Sequence, residues 1–417
     1  MKNLKYFLRW ISRNVLILGL VSLLTDLSSQ MVFPLIPLFL TSLGAGATVI
    51  GIVEGAADTT AALLKVFSWY LSDKFKKRKI FVLIWYSFST ITKPLFALAQ
   101  TWPVVLVFRV IERIGKGLRD APRDALIADT TAPEFMGKAY GIQRAMDGTG
   151  SVVGAILALV LFPYLWYQNL FLFAFIPGLI WVIAIIFVKE AKTMKKENHR
   201  EHYHMQAKIH LPSLGTAIKL LPNNLKRFIL ISALFGLVNF GYAFMLLKAK
   251  DVGASDSKAI LYYVLFYGVY TVVSAPVGIL SDRWWRKRLL WIAYSLFLVV
   301  TLWLALVTQL GRVILFFVVF GIVFAIVDGT ERALVADLAG KDQKGTALGI
   351  FHTAIGIVSL PGWYILWSLR DKFSPQATFL FAFIIGVLIM IMFRFVNTKR
   401  NVVDNTQKIN IDSIIKE

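Results

Sequence analysis

The sequence predicts an all-α membrane protein: twelve transmembrane helices in two six-helix bundles related by a parallel pseudo-twofold. Composition, recurrent apolar runs and an internal repeat carry that prediction. Of 417 residues, 57% are hydrophobic and 17% charged, whereas a soluble domain carries about 25% charged residues. The mean hydropathy is +0.67. Apolar runs of membrane-crossing length recur from Val15 to Phe395. Twelve spans of about 20 residues would occupy about 240 positions, close to the hydrophobic share.

Taken in order, the first six spans have cores at 14–42, 47–71, 80–100, 103–118, 138–161 and 170–188. The second six fall at 228–248, 258–280, 289–308, 313–329, 346–368 and 376–396. Connections as short as Gln100 to Pro103 force neighbouring spans to run antiparallel. The chain therefore divides into a bundle over 1–188, a polar linker over 189–227, a second bundle over 228–396 and a polar tail over 397–417.

Charge placement orients the spans. The net charge is +21 and the pI about 10.0, values that would suit a nucleic-acid binder if the basic residues were clustered. They are not: 32 of the 45 Lys and Arg lie in the two tails, the linker and the loops after the other even-numbered spans. Six lie in loops on the opposite face, and the remainder within spans. That bias predicts a plasma-membrane protein with both termini in the cytoplasm, with anionic lipid headgroups rather than nucleic acid nearest the basic loops. The basic segment from Met1 to Arg13 leads into a full span without a small-residue cut site, so it reads as part of the mature chain.

The repeat appears when Asp124-Ala-Leu-Ile-Ala-Asp129 is set on Arg332-Ala-Leu-Val-Ala-Asp337, a displacement of 208 positions. The same displacement sets Gly137 on Gly345, Gly141 on Gly349, Gly148 on Gly356 and Gly154 on Gly362. At 209 positions, Asp73 in the loop after the second span meets Asp282 in the loop after the eighth. With six spans per half, the copies share orientation, as a parallel repeat requires.

The loop after the eighth span reads Gly278-Ile-Leu-Ser-Asp282-Arg283-Trp-Trp-Arg286-Lys287-Arg288. Such a loop sets an acid against cations where it can dock on neighbouring helix ends. It resembles the major facilitator superfamily signature G-x-x-x-D-R-x-G-R-R, with Trp285 in place of the second glycine. The counterpart after the second span keeps Asp73, Lys74 and Arg78 but lacks both glycines. The stretch from Arg109 to Leu126 is similar to a largely uncharacterised prokaryotic branch of that family. The resemblance implies a two-bundle transporter with alternating access, the loops at Asp73, Lys74 and Arg78 and at Asp282, Arg283 and Arg286 latching one side. The family carries an Arg in R-x-x-x-G-x-G on the fourth helix that borders the translocation path; the resemblance implies that role for Arg113, which leads R-x-G-x-G here, or for Arg109, which stands at a longer spacing from Gly115.

Ionisable residues inside the spans point the same way. The first half holds Asp26, Glu54, Asp58, Lys65, Lys93, Arg109, Glu112, Arg113, Lys116, Arg144 and Asp147. Unpaired in lipid they would cost on the order of 30 kcal/mol together, so they face one another or water. Glu54, Asp58 and Lys65 fall on one stripe of the second helix; Arg109, Glu112, Arg113 and Lys116 fall on one stripe of the fourth. Asp26 lies roughly 18 Å along the first helix. Two readings stand: coupling sites at which Asp26, Glu54 or Asp58 takes up protons, or static salt bridges that fix helix packing. Arg144 and Asp147 are spaced for a local pair. The glycines of the fifth helix resemble an antiporter motif, with Ala155 where a proline is expected; close helix packing explains them equally.

The second half carries fewer charges, with Asp328, Glu331 and Arg332 near one end of the tenth span and His352 in the eleventh. His352 reads as a packing residue or a proton carrier. Asn239, Phe240, Tyr242, Tyr263, Tyr267, Tyr270 and Trp363 supply amides and aromatics instead. Asn239, Tyr242, Tyr267 and Trp363 are the candidate substrate wall; helix and lipid packing is the plainer alternative. In the linker, His199, His202, His204 and His210 have metal-binding spacing, but a solvated basic tether is the preferred reading. With no Cys and no phosphate-binding, hydrolase or metalloprotease motif, no enzyme chemistry, cofactor or resident metal is expected. The chain reads as a monomeric, proton-coupled transporter of a small organic solute, efflux favoured over uptake. The alternatives are an importer of an organic or siderophore-like solute and a non-transporting sensor.

Overall fold

The computed structural model describes residues 13–75, 78–131, 136–186, 219, 221–283, 286–307, 309–339 and 344–397. Among these, every regular element is a helix. The first span comprises α1 (Arg13–Val32) and α2 (Leu35–Ser42); α3 (Ala47–Phe75), α4 (Arg78–Leu95) and α5 (Trp102–Asp129) follow. Next come α6 (Met136–Phe173) and α7 (Phe175–Ile186). The second half has α8 (Asn223–Val238) and α9 (Gly241–Asp251) as its first span, then α10 (Asp256–Arg283) and α11 (Arg286–Leu306). It ends with α12 (Leu310–Leu338), α13 (Lys344–Lys372) and α14 (Pro375–Arg394).

Ten stretches are long and apolar enough to cross a membrane. One of them, Ile142–Ile185, has 44 residues, about twice the length a bilayer needs. It breaks at Trp166, whose φ of 52° and ψ of −167° leave the helical region. Contacts show the reversal there. Gly150 and Gly154 lie against Leu23 and Leu27, Tyr167 and Phe171 against Phe39, and Gly178 back against Ser28. The fourth span, α5, has the length but too many charges to count as apolar, and it completes twelve crossings.

Three boundaries differ from the sequence reading. The fourth and tenth spans continue to Asp129 and Leu338, well past the expected ends at 118 and 329. Their charged extensions fail a hydropathy test yet continue the helix, with charge pairs at helical spacing along them: Arg123 with Asp120 at 3.8 Å and Arg332 with Asp328. The matched hexapeptides of the repeat lie on these two extensions. The seventh span starts at Asn223, so 223–227 belongs to a helix rather than to the linker.

The first and seventh spans are each interrupted. Pro34 brings no N–H and follows a break after Val32; Asn239 and Phe240 separate α8 from α9, with Gly241 at φ +57°. Both spans end in the same turn. Gly44 at φ +76° and Gly253 at φ +93° take the left-handed position. Ala45 N then donates to Leu40 O, and Ala254 N to Ala249 O, the Schellman pattern.

The bundles meet where α3 packs on α13 and α6 on α10. Small residues permit that approach: a Cβ on Gly51 would sit 2.2 Å from Trp367, and one on Gly356 would sit 2.5 Å from Ala62. Outward faces carry exposed Ile84, Ile91, Val107, Ile183, Val299 and Ile391, apolar surface that suits lipid rather than water.

Candidate functional site

A cavity of about 430 Å³ lies between the bundles. The break at Phe33 and the faces of α3 and α5 form its first-half wall, and α8, α9, α10, α12 and α13 form the other. The two helix interruptions meet here: the Tyr242 hydroxyl donates to the Phe33 carbonyl at 3.3 Å. Interrupted helices expose backbone groups at membrane depth only where they line a cavity. Asn239, Tyr242, Tyr267 and Trp363 all border it, and the Asn239 side-chain oxygen has no hydrogen-bond partner.

At the end remote from the linker, polar contacts tie the bundles together. Asp371 accepts from Ala47 N at 3.2 Å, Thr48 N at 2.7 Å and the Thr48 hydroxyl at 2.5 Å. Tyr167 donates to Asp256 at 2.7 Å. Deeper, Tyr263 donates to Gln30, and Thr59 donates to the Gly356 carbonyl at 2.8 Å.

On the first-half wall, the two charge stripes meet. Arg109 lies 3.0 Å from Glu54 and 3.2 Å from Glu112. Arg113 lies 3.7 Å from both Glu112 and Asp58. Three acids thus alternate with two guanidinium groups along α3 and α5. Arg109 is fully buried, Glu54 2% exposed, and Asp58, at the end of the chain, 42% exposed by side chain. The network is not saturated, since Glu54 Oε1 and Glu112 Oε1 accept no hydrogen bond. The Phe33 ring underlies it, with Arg109 at 4.4 Å, Arg113 at 4.8 Å and Lys116 at 5.5 Å from the centroid. That geometry is favourable for cations on an aromatic face.

Asp26 and Asp147 are not part of this chain, nor do they line the cavity. Asp26 is half-buried, faced by Asp147, Lys116, Arg119 and Arg123. Asp147 accepts from Gln143 at 2.6 Å. Arg144 turns away: it is 71% exposed by side chain and 4.0 Å from Asp147. Lys93, wholly buried, donates to the Ser28 hydroxyl at 2.6 Å.

Sequence reasoning underrated the charges at the linker side of the cavity. Lys65, Lys116, Asp328, Glu331, Arg332 and His352 all border it. Hydropathy alone stops the tenth span too early and so places Asp328, Glu331 and Arg332 at a helix end. Arg332 pairs with Asp328, and Tyr294 donates to Glu331 at 2.7 Å. Phe240 is instead packed among Phe297, Phe320 and Phe379, and Tyr270 bonds Asp328 at 3.2 Å.

Of the latch residues, Arg286 is 2.7 Å from Asp337 and donates to the Ala333 carbonyl at 2.6 Å. The loop after the eighth span is thereby held to the end of the tenth. Asp73 and Lys74 fall in the last turn of α3, Arg78 opens α4, and Asp282 and Arg283 close α10; their side chains lie outside what is described. His199, His202, His204 and His210 lie outside the described residues altogether. Among the described residues no cluster of His, Asp and Glu is arranged to hold a metal ion.

A profile of the Major Facilitator Superfamily matches residues 18–362 and 228–414. An uncharacterised MFS-type transporter of Methanocaldococcus jannaschii is 38% identical over 399 residues, covering 93% of this chain and 96% of that protein. A multidrug resistance protein of Aeromonas hydrophila is 33% identical over 145 residues, 34% of this chain and 35% of that one. Among solved structures, a nucleoside transporter superposes with a TM-score of 0.74 at 14% identity, covering 92% of this chain and 99% of that one. A D-xylose–proton symporter superposes at 0.70 with 17% identity, covering 93% and 98%.

Proposed function

Because this chain belongs to the Major Facilitator Superfamily, a family of membrane transporters, we propose that it exports a small organic solute in exchange for protons by alternating access. The observation that carries the reading is the cavity between the bundles, bordered by an unsaturated salt-bridge chain on one side and aromatics on the other. A proton on Glu54, Asp58 or Asp26 changes the pairing of Arg109 and Arg113 or the charge that Lys116 and Arg123 face. Either change alters the relative stability of the two bundle arrangements. A ligand or proton shifts such an equilibrium only by its differential affinity for the two states.

Orientation follows from the basic bias of the linker face: the linker and both termini are cytoplasmic, and the membrane is the plasma membrane. The contacts of Asp371 and Tyr167 then close the outer side, making the structure inward-facing. The loops at Asp73 and Asp282 form the opposing latch when the inner side closes. Efflux is supported by the local similarity to multidrug resistance proteins. The protein acts as a monomer, since one chain holds the whole cavity.

The test is reconstitution in liposomes with an imposed pH gradient and a panel of solutes. Wild type accumulates a solute against its gradient and moves protons in the opposite sense. At least one of Asp26→Asn, Glu54→Gln and Asp58→Asn abolishes accumulation while leaving downhill exchange. If all three accumulate solute normally, proton coupling through these acids is wrong. Proton and solute moving in the same direction would make the protein an importer by symport.

A further inference from the structure

Most charged groups bordering the cavity are matched. Glu54 and Asp58 are paired to Arg109 and Arg113, Asp328 to Arg332, and Glu331 accepts from Tyr294 and is 4% exposed. Lys65 and Lys116 are the exceptions: among the described residues neither makes a direct ion pair or a hydrogen bond, although Asp26 and Asp120 face Lys116 and Asp120 also faces Lys65 at longer range, and the Phe33 ring lies 5.5 Å from the Lys116 ammonium. Both lie toward the linker end from the salt-bridge chain, Lys116 one turn beyond Arg113 and Lys65 two turns beyond Asp58, about 5 and 10 Å along their helices. Their surroundings remain cationic across the cavity, where Lys65 and Arg332 both face His352. Of the acids about them, Asp328 is already committed to Arg332 and Tyr270, and Asp120 is shared with Arg119 and Arg123, which leaves Asp26 as one acid facing Lys116 among several cations.

Two ammonium groups of like charge at membrane depth disfavour the empty protein, and aromatic rings do not neutralise them. A ligand that brings a negative charge removes that cost, whereas a cationic ligand adds to it. The rest of the cavity states what the ligand carries besides its charge: Tyr267, Phe324 and Trp363 offer flat apolar surface, and the unpartnered oxygen of Asn239 accepts one hydrogen bond.

We infer that the substrate is an organic anion, with its acidic group between Lys65 and Lys116 and an apolar ring against Tyr267, Phe324 and Trp363. This rests on the transport reading above and names the chemical class that reading leaves open. The alternating acids and guanidinium groups higher in the cavity then serve coupling, and the two lysines serve recognition, so the two tasks fall on separate residues of the same two helices.

Three probes of one shape test it: 2-naphthylacetate, its primary amide and the corresponding naphthylethylamine, titrated calorimetrically into the purified full-length protein. The carboxylate is expected to bind at least about tenfold tighter than the amide, and the amine weakest. Lys65→Gln and Lys116→Gln each reduce that preference to near unity while changing amide affinity less than about twofold. Lys116→Arg, which keeps the charge, retains the preference. Retained amide affinity shows that each Gln variant is folded. Equal or tighter binding of amide or amine, no saturable carboxylate binding, or an unchanged preference in both Gln variants overturns the inference. Counterflow in liposomes separates the two layers. Carboxylate that binds but is never moved refutes transport and leaves the ligand class standing; amine moved in preference to carboxylate refutes the ligand class and leaves transport standing.

Discussion

The two bundles share a backbone plan and differ in what fills it. In the first, an apolar cluster around Met31, Phe39 and Phe171 and another around Val15, Tyr86 and Trp181 are separate. Between them lies the charged layer of Lys93, Arg109, Glu112 and Arg119, all buried. In the second, aromatic packing is continuous from Phe228 through Phe240 and Phe320 to Phe266. The shared features are geometric: a Cβ on Gly154 would lie 2.2 Å from the Leu27 carbonyl, and one on its repeat partner Gly362 would lie 2.4 Å from that of Leu237. Duplication preserved close helix contacts and end turns, while polar chemistry concentrated on one side. Charge in the first bundle suits a switch, and rigid aromatics in the second suit a wall.

The comparison breaks first at Arg109. Arg109→Met strands Glu54 without a partner, leaves Glu112 only the longer contact to Arg113 at 3.7 Å, and is expected to lower stability by about 3–5 kcal/mol, read by thermal unfolding of the purified protein. Combining it with Glu54→Gln and Glu112→Gln recovers most of the loss, which distinguishes stranded charge from lost packing. The symmetry of the close contacts is sharpened by Gly154→Ala and Gly362→Ala, each expected to cost about 1–3 kcal/mol through overpacking. Gly349→Ala, with nothing within 4 Å of its Cβ, is neutral or slightly stabilising. Asp371→Ala removes the acceptor that the second bundle supplies to the start of α3 and costs about 1 kcal/mol, with a shift toward the outward-open form. Smallest is Arg332→Met in the second bundle. Its pair with Asp328 is 34% and 40% exposed by side chain, and pairs so accessible contribute at most about 1 kcal/mol.

Much of this was legible in the sequence because periodicity and hydropathy are local. The stripes at Glu54 and Asp58 and at Arg109, Glu112 and Arg113 were read from spacing, and they meet as ion pairs. The ends of the fourth and tenth spans were not, since a hydropathy window stops at Arg119 or Glu331 whether or not those charges find partners on the same helix. Asp26 and Asp147 illustrate another limit. Sequence gives their depth but not their azimuth, so their separation from the cavity emerged only with the packing of α1 on α6. Lys65 and Lys116 were visible as charges, but that they make no direct ion pair or hydrogen bond among the described residues is a statement about every neighbour, which one sequence does not contain.

The claim beneath all of this is that the cavity opens to one side of the membrane at a time. The chain has no cysteine, so a single Ile355→Cys on the cavity wall reports accessibility without background. In oriented vesicles, a membrane-impermeant maleimide is predicted to label it from the linker side at rest. Imposing the pH gradient with substrate present should transfer labelling to the opposite side. Labelling from neither side under any condition, or from both at once, would contradict alternating access.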